Sequence, residues 1–350
     1  MSHLDRRTFL RLSALGAACL APAGFPLGAL AQTLTTIRVT HFGGPYGALK
    51  DLIGTPFENE KLGRVQYETE GSGAVLLGKL QAQRDNPPFN VFMMTRSFST
   101  RGANAGLVSS LSPEEVPALR EVHQEAVLKN GSGTAMVYDS FDVMYDTTKV
   151  SAPITSWLDL WRPDLKGKLV LPSSALAGTI LFVVISVARS LGGGERDVEG
   201  AFRKLKELKS NVRLFYSDPN QATQLIERGE IVAAAQYSIR IGHVMKGNPS
   251  IARATPKEGV VAVPYDLCVT KSSPNQDVSK RYVNFALSPK IQESLAANLL
   301  AIPVNRSVKV PAAVQRLVMT DTSKLVFIDE DYVAAQQKEW VDRWVREIQS

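Results

Sequence analysis

Runs of alternating or continuously apolar residues repeatedly give way to a Gly- or Ser-rich turn and then to residues of helical period. Thr36 to Thr40 (TIRVT) alternates as a strand and meets His41-Phe42-Gly43-Gly44-Pro45-Tyr46-Gly47, with a helix predicted from Ala48. Val65 to Glu70 predicts a second strand, and Gly71-Ser72-Gly73 leads into a helix whose Val75, Leu76 and Leu80 give it an apolar face. Asn90 to Met94 predicts a short buried strand with Thr95-Arg96-Ser97 at its carboxyl end. Strands that alternate with helices define an α/β chain, and open α/β sheets present binding groups at the carboxyl ends of their strands.

The stretch Pro153 to Thr179 repeats the scheme most fully. Thr155 or Ser156 caps a short helix carrying Trp157, Leu158, Leu160 and Trp161, which Pro163 limits. Lys166-Gly167-Lys168 then turns into the buried strand Leu169-Val170-Leu171, and Pro172-Ser173-Ser174 ends it before a long apolar helix from about Gly178. Ser174, Thr179 and the first amides of that helix converge beyond the strand end. Val137 to Asp139 with Phe141 to Tyr145, and Val260 to Thr270, read as long apolar extended segments. Helices are predicted at about 199–208, 220–228 with Gly229 at its C-cap, 276–286 and 289–298, and from about Glu330, where Trp340 and Trp344 stand at i,i+4.

Composition adds limits. The 350 residues are long enough for two lobes, and 44% hydrophobic with 21% charged is ordinary for a folded soluble chain. Arg6-Arg7-Thr8-Phe9-Leu10-Arg11, an Ala/Gly/Leu-rich run and Ala29-Leu30-Ala31 read as a leader of twin-arginine type, residues 1–31, cleaved after about Ala31. Cys19 raises a lipoprotein anchor, but Gly16 stands where a lipobox favours Leu. Loss of the leader leaves Cys268 as the sole cysteine, so no disulfide within the chain is expected. The formal charge of +6 falls to about +4 without Asp5, Arg6, Arg7 and Arg11, and the remaining basic residues are scattered, which argues against nucleic acid as a partner.

The sequence TSWLDLWRPDLKGKLVLP, from Thr155, resembles a segment of the extracellular solute-binding proteins that feed ABC importers, the group with spermidine/putrescine, thiamine and ferric-ion receptors. Gly71-Ser72-Gly73, Gly229-Glu230-Ile231, Pro256-Lys257-Glu258-Gly259, Leu287-Ser288-Pro289 and Ile302-Pro303-Val304-Asn305 extend the resemblance in the family's order. It implies a two-lobed periplasmic-binding-protein fold of type II, with a mixed sheet flanked by helices in each lobe and a cleft between them. On this reading residues 32–138 and 264–303 form lobe 1 and 139–263 lobe 2, and 304–350 is a helical segment packed on both. The chain crosses at about Tyr138 and Val263. The resemblance further implies a monomeric periplasmic receptor that hands a small molecule to membrane permease subunits, with no cofactor and no catalysis.

Enzyme and metal chemistry find little support. His41, His123 and His243 lack metal-ligand spacing, neither a nucleophile elbow nor a P-loop is present, and Cys268 reads as a small core residue. A ferric receptor of the same fold and a secreted hydrolase on a similar scaffold are the alternatives. The ferric match fails where relatives carry paired tyrosines, since Gln236-Tyr237-Ser238 has one, and Arg96 stands near their carboxylate. Polyamine receptors hold ammonium groups in aromatic boxes with several carboxylates, of which Asp266, Tyr46 and Tyr237 have counterparts here. The candidate ligand set is Phe42, Gly43, Tyr46, Thr95, Arg96, Ser174, Thr179, Tyr237, Arg240 and Asp266. With Arg96 and Asp266 facing a ligand across the cleft, an amino-carboxylate or aminophosphonate suits these side chains better than a polyamine, with a thiamine-type amine also in the class.

Overall fold

Side-chain alternation makes β1 (Thr36–His41), which buries Ile37 and Val39 and turns Thr36 and Arg38 outward. The helix predicted from Ala48 is instead a tight turn at Gly44–Ala48 and a wide one at Lys50–Gly54 before α1 (Thr55–Asn59). Pro56 has no amide hydrogen to close the regular helical bond, and the turn ahead of it widens. β2 (Arg64–Thr69), α2 (Gly73–Ala82), β3 (Val91–Thr95) and α3 (Arg96–Asn104) then complete a strand–helix series. The computed structural model describes residues 34–350 apart from Gly71 and Thr255, so the leader, Cys19 and Ala29-Leu30-Ala31 lie outside the described residues.

A second series begins after the fully buried β4 (Thr134–Asp146). Ser156 caps the Trp157 turn, accepting the Leu158 N–H while the Asp159 carboxylate accepts from the Ser156 amide. The turn leads to β5 (Leu169–Pro172), α4 (Ala177–Ser190), α5 (Glu199–Glu207), β6 (Val212–Tyr216), α6 (Pro219–Glu227), β7 (Ala233–Tyr237), α7 (Ser238–Gly247) and β8 (Ile251–Arg253). The return strand β9 (Val260–Val269) precedes α8 (Gln276–Ala286), α9 (Pro289–Ser294), β10 (Ile302–Pro303), β11 (Leu325–Val326) and α10 (Glu330–Arg343).

Strand order is β2-β1-β3-β9-β4-β7-β5-β6. β1 is parallel to β2 and β3, and β5 is parallel to β6 and β7, so each end of the sheet is a small parallel unit. The antiparallel pair β4 and β9 joins them. β9 pairs with β3 through Tyr265–Val269, whereas β4 pairs with β7 through Phe141–Tyr145. The two long strands thus join the units through their own pairing, which makes the fold two-lobed. Phe141 packs at the junction against Trp157, Phe182 and Tyr237, with ring centroids 6.1, 5.7 and 5.2 Å away.

Gln292 of α9 ties the helices to a crossing strand. Its Nε2 donates to the carbonyls of Met136 and Ala286 at 2.8 Å each, and its Oε1 accepts the Val304 amide at 2.9 Å, all in the interior. Gln292→Leu keeps the volume but strands three backbone groups away from water, so unfolding free energy from urea titration should fall by about 2–4 kcal/mol. A loss under about 0.5 kcal/mol would show that Gln292 is not a structural clamp.

Candidate ligand-binding site

The carboxyl end of each parallel strand in both units opens on a single cavity of about 290 Å³. Phe42 follows β1, Ser72 and Gly73 follow β2, and Thr95 ends β3. From the other side come Ala175 to Thr179 after β5, Asp218 to Asn220 after β6, and Tyr237 with Arg240 after β7. The amino ends of α2, α4, α6 and α7 therefore meet here with their partial positive charges. Ser72 caps α2 through the Val75 amide and Asp218 caps α6 through the Asn220 amide, while the first turn of α4 has no side-chain cap.

Arg240 brings a positive charge to this cavity. It forms no ion pair among the described residues, and its guanidinium donates to Asn220 Oδ1 at 2.6 Å. It also reaches across to the turn after β1: a Cβ on Gly44, at φ +55°, would lie 3.1 Å from an Arg240 nitrogen. The glycines of that turn therefore make room for an arginine from the opposite lobe. Buried Asp139 of β4 sets the arginine's helix, accepting the Ile239 amide at 3.0 Å and the Ser238 hydroxyl at 2.6 Å at the start of α7. The Tyr46 hydroxyl donates to the other oxygen of Asp139 at 3.5 Å.

Aromatic rings wall the cavity. Tyr265 lies 5.1 Å from Tyr46 and 5.6 Å from Phe42 between centroids, and Tyr237 shares a hydrogen bond of 2.8 Å with Thr179 Oγ1. Burial pushes the phenols of Tyr46 and Tyr265 well above the ordinary range and that of Tyr237 up to about 12, so all three keep their protons at neutral pH.

The structure thus brings Phe42, Tyr46, Thr95, Thr179, Tyr237 and Arg240 together and leaves the other four candidates outside the lining. Gly43, at φ +69°, shapes the turn. The Ser174 amide donates to Gln349 Oε1 at 2.8 Å. Arg96 and Asp266 do not face a ligand from opposite sides, because they bind one another. Arg96 Nε lies 3.0 and 2.9 Å from the two Asp266 oxygens and its Nη2 lies 2.8 Å from Oδ1, while further donors go to the carbonyls of Glu125 and Ala126. Asp266 is wholly buried. Arg96 contributes instead to a neighbouring cavity of about 490 Å³ with Glu125, Pro264 and Phe327, and Glu330 lines both cavities. Tyr265, Phe98, Arg101, Asp218 and Glu330 are lining residues that the sequence reading missed. Alternation along β9 carries the signal for Tyr265, which must face opposite to Asp266.

A cleft at the strand ends of two α/β lobes joined by paired crossing strands defines a solute-binding receptor of the periplasmic type. Residues 86–336 match the family described as bacterial extracellular solute-binding protein. The chain belongs to that family, whose members carry small solutes to the permease of an ABC importer. It is 26% identical over 356 residues to a gamma-aminobutyric acid-binding protein of Pseudomonas aeruginosa, covering 97% of this chain and 94% of that protein. It is 23% identical over 255 residues to a spermidine/putrescine-binding periplasmic protein of Salmonella typhimurium, covering 67% and 69% of the two chains. An ABC transporter structure from Clostridium perfringens superposes with a TM-score of 0.74 at 26% identity, covering 89% of this chain and 99% of that one.

The Arg96–Asp266 pair tests the division between scaffold and site. Burial alone raises the Asp266 carboxyl and Arg96 opposes this, so losing either partner strands a charge in the interior. Arg96→Leu should lower unfolding free energy by about 3–5 kcal/mol, and Arg96→Leu with Asp266→Leu should recover part of the loss. A stable Arg96→Leu protein with impaired ligand binding would instead return Arg96 to the site.

Proposed function

We propose that this protein is the periplasmic receptor of an ABC importer for a small zwitterion, an ω-amino acid or aminophosphonate, held with its acid group on Arg240. The observation that carries this reading is Arg240 itself, a guanidinium without a carboxylate partner among the described residues, lining the same cavity as the uncapped first turn of α4. An acid group there gains charge-assisted hydrogen bonds from the fork and the helix amides together. The paired hydroxyls of Thr179 and Tyr237 leave one proton free as a neutral donor, and the ring walls suit a short methylene chain. The cavity is near the lower end of the usual size for small-molecule pockets, about 300–1,000 Å³.

The two relatives differ in the relevant respect: γ-aminobutyrate carries an acid group and a polyamine does not. Arg240 favours the first, since an ammonium beside it would be repelled. Isothermal titration with 3-aminopropionate, 4-aminobutyrate, 2-aminoethylphosphonate, putrescine and spermidine should find binding among the zwitterions. Arg240→Met should then weaken the bound zwitterion by about 2–5 kcal/mol and leave a diamine unaffected or strengthened. Diamine binding that the arginine does not disturb, with no zwitterion bound, would give first place to the polyamine reading.

On the same reading the leader is removed and the mature, monomeric protein works in the periplasm. Among the described residues no helix is long and apolar enough to cross a membrane. Mass spectrometry of the exported protein should find Gln32 at the amino terminus. A chain that begins at a lipidated Cys19 would refute this.

A further inference from the structure

The cavity-lining carboxylates are Asp218 and Glu330. Asp218 is engaged, since one of its oxygens accepts the Asn220 amide at 2.9 Å as the cap of α6. Glu330 differs. It stands in the first turn of α10, which packs across both α3 and α4, and its carboxyl has no hydrogen bond or ion pair among the described residues. Val333 and Gln337, on the same face of α10, line the cavity with it. A carboxyl partly withdrawn from water and lacking a donor is destabilised in its charged form unless a partner is supplied.

The charges around it do not supply one. From α3 come Arg96, bound to Asp266, and Arg101, whose guanidinium lies over the Phe98 ring at 5.4 Å. From β9 comes Asp266, from its own helix start Asp329 and Asp331, and from the neighbouring loop Glu125 and Lys129. The part of α4 that faces the cavity is uncharged. We infer that Glu330 is the residue that recognises the ligand's ammonium group, an inference that rests on the zwitterion reading above. Arg240 and Glu330 then hold the acid and amine ends of one molecule, and the specificity for an amine comes from a helix that follows both lobes in the sequence.

Burial first, with the neighbouring acids adding to it and Arg96 opposing it, raises the Glu330 carboxyl to about 8. It therefore carries its proton at neutral pH until a cation arrives. An arriving ammonium keeps its own protons and pairs with the carboxylate, and the carboxyl proton passes to solvent. Binding then releases a proton and tightens as pH rises towards about 8, by up to about tenfold per pH unit, and levels off above that.

The test uses 4-aminobutyrate, with putrescine and butyrate as comparison probes, on the full mature protein by titration calorimetry in two buffers of different ionisation enthalpy. Wild type should release a proton with 4-aminobutyrate between about pH 6 and about pH 8. Glu330→Gln should abolish that release and weaken 4-aminobutyrate by at least about tenfold at pH 8, with butyrate changed by less than about threefold. Glu330→Asp should recover part of the affinity. Equal loss of 4-aminobutyrate and butyrate would make Glu330 merely structural and overturn the inference. Wild-type affinity and pH profile in Glu330→Gln would overturn it too while leaving the zwitterion reading in place. Failure of 4-aminobutyrate, 3-aminopropionate and 2-aminoethylphosphonate alike to bind wild type would remove the reading and the inference together.

Discussion

The Asp139 carboxylate is the point on which the site depends. It lies on a strand shared by both lobes, and one oxygen gathers the Ser140 amide, the Ser238 hydroxyl and the Ile239 amide. Those bonds complete the start of α7, where the backbone amides have no partners within the helix. Arg240 is two residues further on, so its direction follows from a carboxylate held in the crossing strand. The other oxygen faces Tyr46, whose ring meets Tyr265 and Phe42. One buried acid thus sets the arginine of one lobe and an aromatic wall of the other. Burial raises its pKa, and the three donors to its oxygen oppose that shift.

The sequence carries the order of elements well because strand alternation, helix period and turn chemistry are local. β1, β3, β9 and α8 fall where their patterns put them, and Ser156 caps its turn. The convergence of Phe42, Thr95, Thr179 and Tyr237 was also legible, since Phe42, Thr95 and Tyr237 stand at strand ends and Thr179 opens the helix that follows one. The wide turn before α1 was not, because a single Pro56 decides it.

Charge partnership was the harder part. Arg96 and Arg240 look alike in sequence, each just beyond a short buried strand. Arg96 is neutralised by Asp266, 170 residues away, and Arg240 reaches over a glycine of the opposite lobe. No local pattern distinguishes them, because pairing across β3 and β9 depends on sheet order. The tail was legible as a helix with buried tryptophans, but the face bearing Glu330, Val333 and Gln337 becomes cavity wall only through packing against α3 and α4.

Cys268 lies fully buried on β9, and a Cβ on Gly133 would come within 2.6 Å of its sulfur. Burial pushes the thiol far above its ordinary range, so thiolate is scarce and alkylating reagents have no path to it. The described residues therefore behave chemically as though they held no cysteine. A single thiol introduced at exposed Val75, in the helix that opens from the cavity rim, would be the one position among the described residues that a fluorophore could take. The described part of the chain is in this sense already prepared for conversion into an optical sensor of its solute, with no background labelling of its own to remove.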